Sequence, residues 1–125
     1  MISMEEFRSE MEAFRKEAEA EAEHFKEPHI RTERLTALYR TFDASERAMA
    51  NEVLCEWALS QNDLIRFDAL ALINDLKIER AQPTLRELTR LLASSPAPGA
   101  SYEIKKVNRI IDSLTDNRDA GPTSS

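Results

Sequence analysis

Glycine is almost missing from this chain: of 125 residues only two are glycine, and both lie beyond residue 98. Valine is as scarce, at Val53 and Val107 alone. Sheets with tight turns draw on both residue types, so strands have no obvious place. The abundant alanine, leucine, glutamate and arginine point instead to an almost wholly helical fold. One cysteine, Cys55, excludes an internal disulfide framework, and no Cys/His cluster offers an ordinary structural zinc site. A reducing compartment suits such a chain. The longest uninterrupted apolar run spans the five residues 69–73, far short of the roughly 20 needed to cross a bilayer. No charged n-region followed by an apolar h-region opens the sequence, so the protein is expected to be cytosolic.

What is present suits one modest core. Hydrophobic residues make up 42% of the chain, a content that excludes a disordered polar chain. The formal charge is −6, which disfavours generic nucleic-acid binding and fits a basic protein partner drawn in by long-range electrostatics. That charge is unevenly spread. Residues 1–27 hold nine glutamates against Arg8, Arg15, Lys16 and Lys26, leaving the rest of the chain close to neutral.

The local signals predict about six helices. Ser3 with Glu6 forms a capping box, after which Met4, Phe7, Met11, Phe14, Ala18 and Phe25 recur at three- and four-residue steps. Glu21 interrupts this seam, so the first helix is expected to pack along its own domain rather than form an autonomous coiled coil. Pro28 ends it. A second helix from Ile30 turns Leu35, Leu38, Tyr39 and Phe42 inward and Arg31, Arg34 and Arg40 to solvent. Asp43 with Glu46 restarts the chain in a helix to Leu59, with Met49, Ala50, Val53, Leu54 and Trp57 on one face. Ala48, Cys55 and Leu59 make a second small face, which predicts a further buried contact and makes Cys55 an inert core thiol.

Residues 63–76 carry apolar side chains around the whole cylinder: Ile65, Ala69, Leu72, Ile73 and Leu76 on one half, Leu64, Phe67, Leu70 and Ala71 over much of the other. Such a helix is expected to be surrounded by neighbours. A break at Lys77 and Ile78 precedes a helix that holds Pro83 in its first turn and Ala81, Leu85, Leu88 and Leu92 as a stripe. Residues 95–100 form a Pro/Gly loop. Ser101 is expected to cap a last helix with Ile104, Val107, Ile110, Ile111 and Leu114 inward, and residues 116–125 read as a polar, flexible tail.

The run Asp63-Leu64-Ile65-Arg66-Phe67-Asp68-Ala69-Leu70, followed after a short turn by Pro83 in a second amphipathic helix, resembles a HEAT repeat. The resemblance covers residues 35–114, with one clear repeat. It implies an all-α, short HEAT-like helical array over residues 1–115, in which the acidic helix of residues 1–27 packs on residues 30–115. In HEAT units an Asp caps helical amides and an Arg reaches a carboxylate or carbonyl of the adjoining helix, which implies such a role for Arg66. With Trp57 ahead of the polar joint and Pro96-Ala97-Pro98-Gly99 before the last helix, the chain is similar to small bacterial HEAT-type proteins of toxin systems. Some of these are immunity proteins. The resemblance therefore implies a non-enzymatic protein that neutralises a cognate toxin, often a basic nuclease, by occluding its active site or substrate groove. HEAT-like arrays also serve as general protein-interaction adaptors and, in one branch, as DNA-repair glycosylases. A nucleic-acid-associated protein is thus the alternative.

Candidate contacts follow from charge. Glu5, Glu12 and Glu19 stand seven residues apart, with Glu23 one turn on, and can meet a basic toxin surface; the competing reading is a solvated helix face. Asp68 and Asp75 share one side of the central helix and would extend that acidic surface, as solvent-exposed side chains. They are about 10 Å apart along the axis, too far to share one metal ion without other ligands. Tyr102, Lys105, Lys106 and Arg109 gather opposite the apolar stripe of the last helix, and would serve a nucleic-acid reading or simply face solvent. His24 and His29 lack HExxH spacing, and no nucleophile elbow or phosphate-cradling loop exists. No catalytic residue, metal or cofactor is expected, and the expected partner is a basic protein toxin.

Overall fold

The computed structural model describes residues 2–123, with residues 116–123 described by their backbone alone. Among the described residues the fold is all-α and has no strand. Its helices are α1 (Met4–Phe25), α2 (Ile30–Thr41), α3 (Ala44–Ala58), α4 (Asp63–Leu76), α5 (Gln82–Ala93) and α6 (Ala100–Thr123), packed in antiparallel pairs, with one 3₁₀ turn at Glu79–Ala81. The chain divides into two compact units, residues 1–56 and residues 57–125.

In the first unit, α1 opens on the expected capping box: the Ser3 hydroxyl accepts from the Glu6 amide at 3.1 Å, and the Glu6 carboxylate accepts from the Ser3 amide at 3.5 Å. Its buried side chains are Phe7, Met11, Arg15, Ala18 and Ala22. That stripe follows the pitch of a straight helix, whereas the expected seam kept a heptad-like step that drifts off the buried face. Phe25, at the end of the expected seam, is accordingly exposed. The helix stops before Pro28. Lys26 turns into the left-handed region (φ 59°), and the Glu27 amide closes back on the Ala22 carbonyl at 2.9 Å, so the backbone itself ends the helix.

Helix α2 packs against α1. Leu35 is buried, and so is Arg31, which was expected in solvent; it sits one turn before Leu35 on the covered face and is not without a partner. Exposed Arg34 reaches Glu21 of α1, with Nε 3.0 Å from the carboxylate. The second capping box forms as expected, Asp43 accepting from the Glu46 amide at 2.8 Å and Glu46 from the Asp43 amide at 2.9 Å. Ala50, Val53 and Leu54 of α3 are buried, while the predicted second packing face is not: Ala48 and Leu59 are exposed and Cys55 is half-buried. Cys55 is therefore not a core thiol. Tyr39 donates to Asn51 Oδ1 at 2.9 Å, and Arg8 forks onto Glu56 at 2.7 and 2.8 Å, tying α2 and α1 to α3.

In the second unit, Asn62 rather than an aspartate caps α4; its side-chain oxygen accepts from the amides of Leu64 and Ile65 at 3.0 and 3.1 Å. Asp63 is then the first helical residue and is free to pair with Arg66. The break after Leu76 is a left-handed Lys77 (φ 54°), followed by the 3₁₀ turn and by α5 with proline in its first turn. Helix α6 packs on α5 and α4. It begins at Ala100, before Ser101, with the Gly99 carbonyl accepting from the Glu103 amide at 3.0 Å. It runs to Thr123, so the expected tail is helical over residues 116–123, and the remainder of that expectation, Ser124 and Ser125, lies outside the described residues. Leu70, Leu72, Ile73, Leu85, Val107 and Leu114 form the innermost layer of this unit. Each contributes about 1.5–3 kcal/mol by leaving water.

Candidate functional site

The six carboxylates singled out from the sequence do not share one environment. Glu5, Glu12 and Glu23 are exposed on α1, and Glu19 is half-exposed, held by Arg15 at 2.9 Å in an i,i+4 pair. Asp75 is exposed near the C-terminal end of α4. Asp68 is wholly buried at 0% exposure, which removes it from any contact surface. The reason is geometric. Asp68 stands beside Ala69 and one turn from Leu72, on the side of α4 that faces its neighbours, whereas Asp75 is almost two turns on, where that side reaches the edge. The second acidic stripe expected from Asp68 and Asp75 therefore does not form. Asp68 is not unpartnered, consistent with a buried charge being held by the fold.

Helix α4 departs from the expected all-round burial in the other direction too. Its Leu64 and Phe67 are exposed, at 47% and 46%. Phe67 lines a groove of about 860 Å³ within the second unit, bounded by the joint after α3, by α4 and α5, and by the 95–99 loop running into α6. Leu59 (39% exposed), Leu91 (44%) and Tyr102 (73%) line the same groove. Four of the six large exposed apolar side chains among the described residues thus converge on one concavity from four different segments. The clue in the sequence was the surplus of apolar residues around residues 63–76. Periodicity alone places that surplus in the core, because it does not tell a covered face from an open one.

One wall of the groove is fixed by Arg66. Its guanidinium forks onto Glu103 of α6, Nε to Oε2 and Nη2 to Oε1, and also donates to the Ser60 carbonyl at 2.8 Å and to Asp63 at 2.6 Å. This is the paired, structural arginine expected from the sequence. The Glu103 hydrogen bond is the main reason its pKa is raised above the ordinary arginine value, partial burial opposing. The Lys106 ammonium lies 4.3 Å from the centre of the Phe67 ring, a cation–π contact at the groove edge. Lys105 and Arg109 are exposed on the same helix. Among the described residues, no three His, Cys, Asp or Glu side chains gather as a metal site requires, and no helix is long and apolar enough to cross a membrane.

The class this architecture defines is an all-α protein of antiparallel helix pairs with an acidic first helix and an open apolar groove. No protein-family model, characterised protein or solved structure matches the chain.

Proposed function

We propose that this protein acts by binding another protein, as a toxin-neutralising immunity protein whose acidic α1 meets a basic toxin surface and covers its active site or substrate groove. The observation that carries the reading is the exposure of Glu5, Glu12 and Glu23 on a helix that is anchored along its length within its unit. The capping box fixes its start, the Arg8–Glu56 fork and Glu21–Arg34 pair fix its sides, and its apolar stripe is buried. Carboxylates displayed on an ordered helix form a fixed pattern of charge, which accelerates encounter with a basic partner and disfavours wrong registers. Asp75 adds one more exposed carboxylate to the chain, and Asp68 has no part in recognition.

The test is association kinetics with the product of an adjacent toxin gene, for the native protein and a Glu5→Lys, Glu12→Lys, Glu23→Lys triple variant, across an ionic-strength series. None of these three side chains is buried, so helicity is retained. The variant is expected to associate about 10- to 100-fold more slowly at low salt, with a shallower salt dependence. Equal rates and equal salt slopes remove α1 from recognition. Salt-dependent retention of the native protein on DNA or RNA, lost on substituting Lys105 and Arg109, would replace the reading by the nucleic-acid alternative.

A further inference from the structure

We infer that the groove of the second unit is a docking site for an amphipathic helix of a partner protein, one that carries a carboxylate beside its apolar stripe. This surface is distinct from the α1 carboxylates and stands whether or not those meet a toxin.

The first argument is concentration of apolar surface. Leu59, Phe67, Leu91 and Tyr102 come from four segments and leave 39–73% of their area in water around one cavity of about 860 Å³. Scattered exposed leucines need no explanation, but a concave cluster that includes Phe and Tyr has the composition of an interface anchor site. Its floor is firm, because Leu70 and Leu88 beneath it are buried and Arg66 is locked to Glu103, Asp63 and the Ser60 carbonyl. A preformed floor lowers the ordering cost of binding.

Charge selects the occupant. Arg66 is saturated by two carboxylates, so its charge is not on offer. Lys106, by contrast, meets the face of Phe67, and no carboxylate among the described residues pairs with it. Placed at the edge of an apolar groove, it is the complement of an anionic side chain that flanks apolar ones. Backbone chemistry selects the conformation. The groove walls are helices and a loop, with no strand edge to pair with an extended peptide, so such a peptide would leave amides and carbonyls unsatisfied against leucine side chains. A helix satisfies its own backbone and presents apolar residues at i, i+3, i+4 and i+7 to fit the cavity.

The test is selection from a displayed library of random peptides, free to be helical or extended, on the full-length protein, with affinities of the enriched peptides measured by fluorescence anisotropy. The enriched sequences are expected to share apolar residues at helical spacing with a flanking Asp or Glu. Phe67→Ser and Leu91→Ser should each weaken binding by about tenfold or more, and both sites are exposed enough to leave the fold intact, checked by circular dichroism. Lys106→Glu should weaken binding, and replacing the peptide carboxylate by lysine should restore it; unfolding cannot mimic that charge-swap rescue. Failure to enrich any peptide, enrichment of basic or extended sequences, affinities unchanged by Phe67→Ser and Leu91→Ser, or no rescue by the charge swap each overturns the inference. None of these readouts involves α1, so they leave the immunity reading to its own kinetic test.

Discussion

Replacing Arg66 with methionine should destabilise the second unit by about 3 kcal/mol. The side chain of Arg66 is 13% exposed and that of its main partner Glu103 22%, whereas Asp63 is 87% exposed. A solvent-exposed pair is worth about 0–1 kcal/mol and breaking a fully buried one costs about 3–5, so the Arg66–Glu103 fork falls near 2. Methionine also strips the donor from the Ser60 carbonyl, adding about 1 kcal/mol, while the loss of Asp63 adds almost nothing. For a unit of this size each kcal/mol moves the melting midpoint by about 4–8 °C, so a fall of about 12–24 °C is expected. Thermal and urea unfolding followed by far-UV circular dichroism measure it. The sharper control is the Arg66→Met, Glu103→Leu double variant. Much of the single-variant cost is a carboxylate stranded in a half-buried place, so removing that carboxylate as well should recover at least about 1 kcal/mol. A single-variant loss below about 0.5 kcal/mol, or a double variant no better than the single, would refute the assignment of Arg66 as the brace between α4 and α6.

Asp68→Ala should cost about 1–3 kcal/mol, because it orphans whatever buried group Asp68 satisfies, whereas Asp75→Ala on the exposed end of α4 should stay within about 0.5; urea midpoints compare the two. Lys26→Gly should stabilise the protein by up to about 1 kcal/mol, seen as a raised melting midpoint, since glycine adopts the left-handed conformation at φ 59° without the steric cost of a side chain. The Glu87 carboxyl is held below its ordinary value of 4.5 by the hydrogen bond from Arg90. The pair's contribution is therefore complete above that unfolded-state value and is lost as pH falls through the lower folded value. Glu87→Gln should make acid unfolding slightly less steep there and leave the response above pH 6 unchanged, as a pH series of urea midpoints would record.

Local signals were legible wherever a residue's own chemistry settles its backbone. The two capping boxes, Ser3 with Glu6 and Asp43 with Glu46, form because a side chain three residues away can reach an unpaired amide whatever else surrounds the helix. Proline in the first turn of α5 and the demand of Arg66 for carboxylates are of the same kind. The stripes of α5 and α6 were legible too, because an amphipathic helix has one apolar side to bury.

What the sequence determined by itself is that this chain is helical, where most of its helices start, and that its first helix carries the negative charge. Tertiary structure decided which faces are covered. Asp68 and Phe67 are neighbours on α4, and periodicity points the aspartate to solvent and the phenylalanine to the core; the fold does the reverse, since burial depends on which side of that helix its neighbours, α6 among them, cover. Arg31 and Arg15 are buried and Leu59 and Leu91 are exposed according to which faces the neighbouring segments cover. The groove exists only where four segments from distant positions meet, and no local pattern of spacing encodes that meeting. Sequence chemistry fixes what a residue can satisfy, while packing fixes whether it is asked to.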